Sequence, residues 1–259
     1  MNPAELYNNI LVPAIFQPWA SIVTQSIKHN DDVLDAGCGT GVISRRVHER
    51  LNGSGSITGI DLNQDMLNVA AAASNPEIEW EKADITKLHF EDQTFNNVIC
   101  QQIIQFVPDK QEAINECFRV LKPNGTLVVA VWKSTGHSPG WKALQDSLSE
   151  ILDEPYELPP FAFYQPNELV NMAKIAGFDF VDIAHIIKQS HFNDLGDFID
   201  GVVGGSQNML GKLSEITGQD DNISLIKQKI NQKLAAYINT DGLTFNQASN
   251  VLTATKPPQ

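Results

Sequence analysis

Residues Val33–Gly41 read VLDAGCGTG, a short apolar run that ends in three glycines spaced two apart. Asp32–Ala36 has the length of a buried strand, and the Val42–Leu51 stretch that follows sets Val42, Ile43, Val47 and Leu51 close to one helical face. The unit is therefore strand, tight turn, helix. Moving outward, the alternation repeats. Ser56–Ile60 is a second strand, Gln64–Ala73 a helix with Met66, Leu67 and Ala70 on one side, and Glu77–Lys82 and Asn97–Gln101 are third and fourth strands. Lys110–Leu121 is a helix with Ala113, Ile114, Cys117, Phe118 and Leu121 as its apolar face, stopped by Pro123-Asn124-Gly125 before a strand over Thr126–Trp132. Strands alternating with helices at this pitch specify parallel βαβ units, an α/β fold with a doubly wound, mostly parallel sheet. In such sheets ligands bind beyond the carboxyl ends of the strands.

The second half is less regular. Ser134–Pro160 predicts an inserted loop with one short helix, Gln165–Ala176 a helix closed by Gly177, Phe178–Lys188 a strand, and Asn250–Thr255 a final strand. His191–Thr244 has a mostly helical pattern. The expected organisation is an N-terminal helical lid over 1–30, a core made of 31–133, 161–190 and 245–259, and insertions at 134–160 and 191–244 that form a mainly helical substrate cap. Phe161, Phe163, Phe180, Phe192 and Phe198 fit either an apolar substrate pocket or ordinary core. Tyr7, Phe16 and Trp19 fit either closure over a ligand or packing of an N-terminal helix.

Eighteen Lys and Arg against 31 Asp and Glu leave a net charge of −13, which repels phosphate backbones and anionic lipid, so no nucleic-acid partner is expected. Three scattered cysteines, Cys38, Cys100 and Cys117, form no CxxC pair and predict neither a disulfide framework nor a zinc site. No run is long enough for a membrane span, and MNPAELYNNILVPAIF lacks the basic start of a signal peptide, so the expected location is cytoplasmic. Asp194, Asp197 and Asp200, at three-residue spacing, read as an exposed helical face, and no metal is expected.

The glycines Gly37, Gly39 and Gly41 let backbone approach a ligand, and the helix start behind them offers N–H donors to an anionic group. A dinucleotide fingerprint would need glycine where Val42 stands, and Asp35 would repel a pyrophosphate. S-adenosylmethionine, with an ammonium, a sulfonium and one carboxylate, suits Asp35 better. Asp61, in GIDLNQDML, stands where a carboxylate accepts from both ribose hydroxyls. Asp84, in ADI, stands where one accepts from the adenine amino group, and Leu62, Met66 and Ile85 supply apolar walls.

Taken together, VLDAGCGTG, GIDLNQDML, the ADI and CQQ segments and RVLKPNGTL (Arg119–Leu127) resemble the class I S-adenosylmethionine-dependent methyltransferases. Within them, the chain is similar to the type 11 group related to the quinone-biosynthesis C-methyltransferases. The core likeness covers Tyr7–Trp132 and continues weakly through AGF (Ala176–Phe178) and DGLTF…VLTATK. PNG stands where PGG is usual, and IIQFVPD where GLQFFPD is frequent. The resemblance implies a Rossmann-like seven-stranded sheet with an antiparallel last strand. It also implies methionine-moiety contacts from Asp35, Gly37 and Cys100 or Gln101, ribose contacts from Asp61 and adenine contacts from Asp84. Cys38 and Ala83, beside these, complete the expected cofactor set.

The expected activity is transfer of a methyl group to O, N or C of a small organic molecule, with S-adenosylhomocysteine as the other product. A protein or peptide methyltransferase and a non-catalytic S-adenosylmethionine-binding protein are the alternatives. CQQI replaces the (N/D)PP(Y/F) of amide and exocyclic-amine methyltransferases, which argues against glutamine, adenine or cytosine as acceptor. No side chain announces itself as a general base. Gln102, His137 and Tyr7 are the catalytic candidates; Gln101, Gln102 and Gln105 fit either substrate orientation or a helix start, and His185 and His191 fit structural roles.

Overall fold

The computed structural model describes residues 2–205 and 220–258. Its contacts divide the chain into two compact units, one of Met1–Pro18, Trp132–Tyr164 and Ile187–Ala248, the other of Trp19–Val131, Gln165–Ile186 and Ser249–Gln259. The part of the predicted second insertion at 206–219 lies outside the described residues.

The second unit is built on β1 (Asp32–Ala36), β2 (Ser56–Asp61), β3 (Glu79–Lys82) and β4 (Phe95–Gln101), all parallel, with Val33 paired to Ile57 on one side and to Asn97 on the other. Strand β5 (Leu121–Trp132) pairs parallel to β4, and the sheet continues through β8 (Gly242–Thr255) to β6 (Phe180–Phe192), in the order β3-β2-β1-β4-β5-β8-β6. The Asn124 N–H donates to the Lys256 carbonyl near one end of β5, and the Lys133 N–H to the Ala248 carbonyl near the other, so β8 is antiparallel to β5. The two-residue β7 (Ile238–Asn239) only forms a hairpin with β8.

Local chemistry explains the helices. Gly41, at φ 83°, starts α3 (Val42–Leu51), and Asn52, also left-handed, ends it. The Asn63 side chain accepts from the Asp65 N–H to cap α4 (Gln64–Ala72), and Asp109 accepts from the Glu112 N–H to cap α5 (Lys110–Val120). Gly177, at φ 107°, closes α7 (Pro166–Ala176). Arg119 donates to the Leu88 and Phe90 carbonyls and to Asp92 and Glu116, fixing the connection into β4.

Trp80 on β3 lies across two glycines. A Cβ on Gly41 would come within 2.4 Å of its ring, and one on Gly59 within 2.5 Å. Gly41→Ala adds left-handed strain of about 1–2 kcal/mol to overpacking of about 1–3 kcal/mol. Urea unfolding of this variant is expected to show a loss of about 2–4 kcal/mol relative to wild type. A variant within 1 kcal/mol would mean that Trp80 moves freely.

Several boundaries differ from the sequence reading. Pro123-Asn124-Gly125 is a bulge inside β5, because Phe95 pairs with Leu121 while Asn97 pairs with Thr126. The predicted loop at 134–160 is largely α6 (Pro139–Leu152): Pro139 occupies the first helical turn, and Gly140 is there because Phe245 packs onto it at 2.3 Å from where a Cβ would sit. Strands β6 and β8 are both longer than expected.

Within the first unit, α6 packs against α9 (Asp220–Leu234), with Glu150 ion-paired to Lys229 and Lys233; α8 (Leu195–Gly205) packs against the N-terminal helical stretch Tyr7–Phe16. Rings of Phe16, Trp132, Phe161, Trp141, Phe198, Phe192 and Phe245 contact one another in series, so Phe161, Phe192 and Phe198 serve as core, whereas Phe180 is exposed. Asp194 accepts from the Asp197 N–H, Asp197 from the Asn193 amide, and Asp200 pairs with Lys227. Among the described residues no cluster of His, Cys, Asp and Glu has the arrangement of a metal site.

Candidate cofactor site

The Gly-rich turn is stitched to the end of β2. The N–H groups of Gly37 and Cys38 donate to the Ile60 carbonyl at 2.8 and 2.9 Å, that of Gly39 to Asp61 Oδ2 at 2.9 Å, and that of Gly41 to the Cys38 carbonyl at 2.9 Å. The expectation that the turn offers free donors to an anionic group is therefore corrected. The chain supplies the anion itself: Asp35, 1% exposed, accepts from the Ser44 hydroxyl at 2.6 Å in the first turns of α3. A Cβ on Gly37 would strike Ile103, but one on Gly39 would meet nothing, so ligand approach is open at Gly39.

Beside this turn is a cavity of about 360 Å³. Gly37, Asp61, Leu62, Ala83, Asp84 and Ile85 line it, the ends of β1, β2 and β3 converging as a doubly wound sheet requires. Asp61 is fixed at both oxygens, Oδ2 by Gly39 and Oδ1 by the Asn63 N–H at 2.8 Å. Asp84 Oδ1 accepts from the N–H and hydroxyl of Thr86, at 2.9 and 2.8 Å. Leu62 is 60% exposed at the rim. The apolar wall on the other side comes from Ile103, Phe106, Val107 and Pro108. Sequence reasoning missed this wall, although an apolar run directly after a strand's carboxyl end was the available signal.

Residues 33–125 match the family described as methyltransferase domain. They form a class I S-adenosylmethionine-dependent methyltransferase domain. The chain is 30% identical over 132 residues to a ubiquinone/menaquinone biosynthesis C-methyltransferase of Geotalea daltonii, covering 48% of this chain and 56% of that protein. It is 34% identical over 131 residues to a ubiquinone biosynthesis O-methyltransferase of Coxiella burnetii, covering 49% and 51%. The matched region thus spans about half the length of these relatives. In fold it resembles the crystal structure of a putative methyltransferase from Bacillus halodurans, with a TM-score of 0.60 at 19% identity over 92% of this chain and 98% of that one.

The methyltransferase domain has polar groups suited to its cofactor. Asp35 makes no ion pair among the described residues, and burial pushes its carboxyl up to about 7, against Ser44 hydrogen bonds that act to lower it. The Thr40 hydroxyl, 1% exposed, has no partner among the described residues. Burial, then Asp35 and Asp61, push the Cys38 thiol well up. Neither Asp35, Cys38, Gly39 nor Gly41 lines the cavity, and Met66 is half-buried on α4 outside it. Cys100 is a correction. Its Sγ lies 3.8 Å from that of Cys117 on α5, and this hydrogen bond and burial push it up, so its side chain faces the helix layer. Gln101, next along the strand, is buried on the opposite face.

Of the catalytic candidates, Gln102 belongs to this unit and is buried. His137 is exposed beside the Ser134 hydroxyl at 3.2 Å, and the Tyr7 ring packs on Phe16 at 5.2 Å; both belong to the first unit.

Proposed function

We infer that this chain binds S-adenosylmethionine in the cavity bounded by Asp61 and Asp84 and moves its methyl group to O, N or C of a small organic molecule. The observation that carries this reading is the pair of strand-end carboxylates across an apolar slot, each pre-oriented by backbone N–H donors. Asp61 takes the ribose hydroxyls, Asp84 the adenine amino group, and Leu62, Ile85 and the Ile103–Val107 wall enclose the ring. Asp35, Thr40 and Gly39 receive the methionine end, Asp35 by charge and Thr40 by its unpartnered hydroxyl. Bound there, the cofactor supplies an electrophilic methyl carbon. The protein's contribution is alignment in a dry site, because displacement at carbon depends on collinear approach.

The small-molecule acceptor is supported by the quinone-biosynthesis names of the relatives and by CQQI after β4. Choice of acceptor is assigned to the aromatic-rich first unit, whose segments include most of 134–160 and 191–244. No helix among the described residues is long and apolar enough to cross a membrane. Three unpaired cysteines support a reducing, cytoplasmic location, and the net charge of −13 supports the absence of a nucleic-acid partner.

Calorimetric titration with S-adenosylhomocysteine, with NAD as control, tests the reading. Micromolar binding of the former and none of the latter are expected. Folded protein that binds no S-adenosylhomocysteine overturns it.

A further inference from the structure

Beyond the cofactor cavity, three buried polar side chains form a line at the carboxyl end of β4. Gln102 holds a left-handed φ of 56°, a conformation that costs a side-chain-bearing residue about 1–2 kcal/mol. Its N–H donates to the Ala130 carbonyl at 2.8 Å, and its Nε2 donates to Ser249 Oγ at 2.9 Å. Gln105 Nε2 donates in turn to Gln102 Oε1 at 3.0 Å. Exposures of 0% for Ser249, 5% for Gln102 and 7% for Gln105 leave little access to solvent. The line ends in a carbonyl: Gln105 Oε1 is buried and has no partner among the described residues.

A buried amide oxygen without a donor is destabilising, and such a group calls for an explanation. The line also fixes which end faces outward. If Gln105 alone turned over, its oxygen would meet Gln102 Oε1, oxygen against oxygen; both amides must turn together, with Ser249 changing from acceptor to donor. Ser249 therefore sets the polarity of Gln105 from two side chains away. Ile103, Phe106 and Val107, on either side of Gln105 in sequence, line the cavity, so the amide belongs to an otherwise apolar segment of the site.

We propose that Gln105 is a substrate-positioning residue whose carbonyl accepts a hydrogen bond from an O–H or N–H of an otherwise apolar methyl acceptor, with its orientation set through Gln102 by Ser249. This rests on the methyltransferase reading and narrows its substrate class to donors of a hydrogen bond.

The test uses phenol and anisole as probes, matched in shape and differing in the donor. Both are titrated by NMR into isotope-labelled full chain, with and without S-adenosylhomocysteine, whose own binding is measured first. Wild type is expected to prefer phenol by about tenfold or more, the scale of one buried hydrogen bond. The preference is expected to fall to about one in Gln105→Met and to shrink in Ser249→Ala, with S-adenosylhomocysteine affinity unchanged within about twofold. Equal affinity for the two probes in wild type, binding of neither, or a preference that survives Gln105→Met overturns the proposal. Failure of the cofactor reading is seen separately, as absent S-adenosylhomocysteine binding.

Discussion

Asp61→Ala is expected to weaken S-adenosylhomocysteine binding by at least about a hundredfold. Hydrogen bonds to a charged group contribute about 1.5–3 kcal/mol each, and two ribose hydroxyls would meet this carboxylate. The loss has a second source. Both Asp61 oxygens already accept backbone N–H groups, from Gly39 in the Gly-rich turn and from Asn63 at the cap of α4. Alanine releases both, so the turn and the helix start lose the group that holds them at one distance. Asp61→Asn separates the two effects: an amide satisfies one N–H but turns a donor toward the other. Its affinity should therefore fall nearly as far, while thermal unfolding of both variants stays close to wild type, since Asp61 is partly exposed. Calorimetry on Asp61→Asn showing a loss under about threefold would remove Asp61 from the ribose site.

Asp61 and Asp84 could be placed from sequence because the argument needs only local patterns: where a strand ends, and which residue comes next. The same holds for the start of α3, since three glycines in left-handed conformation mark a turn that few other sequences can make. What was hidden depends on distant partners. The N–H groups of Gly37 and Cys38 are taken by Ile60, on another strand, and no local pattern reveals that. Strand alternation says that Cys100 and Gln101 face opposite ways, but only the packing of Cys117 on α5 decides which way Cys100 goes. Helix α6 was obscured by Pro139 and Gly140, which signal a turn locally and are explained by the first helical turn and by the ring of Phe245. The apolar segment after β4 was legible in principle, yet its glutamines drew the reading away from Ile103, Phe106 and Val107.

Asp35 opposes stability and binding in a way that pH should expose. Its carboxyl stands at about 7 in the folded protein against 3.8 for an ordinary aspartate, because burial outweighs the hydrogen bonds from Ser44. The folded state therefore keeps a proton that the unfolded chain has released, and the free protein loses stability as pH rises through that interval, then levels off. A shift of this size corresponds to a change on the order of 4 kcal/mol. Asp35→Asn keeps an acceptor oxygen for the Ser44 hydroxyl and carries no titrating group. Between pH 4 and pH 8 the difference in stability between variant and wild type should move in the variant's favour by that amount, or roughly 10 °C in Tm. Cofactor binding should run the other way. An ammonium beside Asp35 favours the ionised carboxylate, so wild-type affinity rises with pH up to about 7, and binding at pH 6 releases a proton. Calorimetry in two buffers of different ionisation enthalpy measures that proton directly. Asp35→Asn should lose at least about tenfold in affinity at pH 8, together with the proton release. A wild-type affinity that is flat from pH 5.5 to pH 8 would place the ammonium elsewhere. The buried carboxylate would then have no partner to justify its cost to the fold.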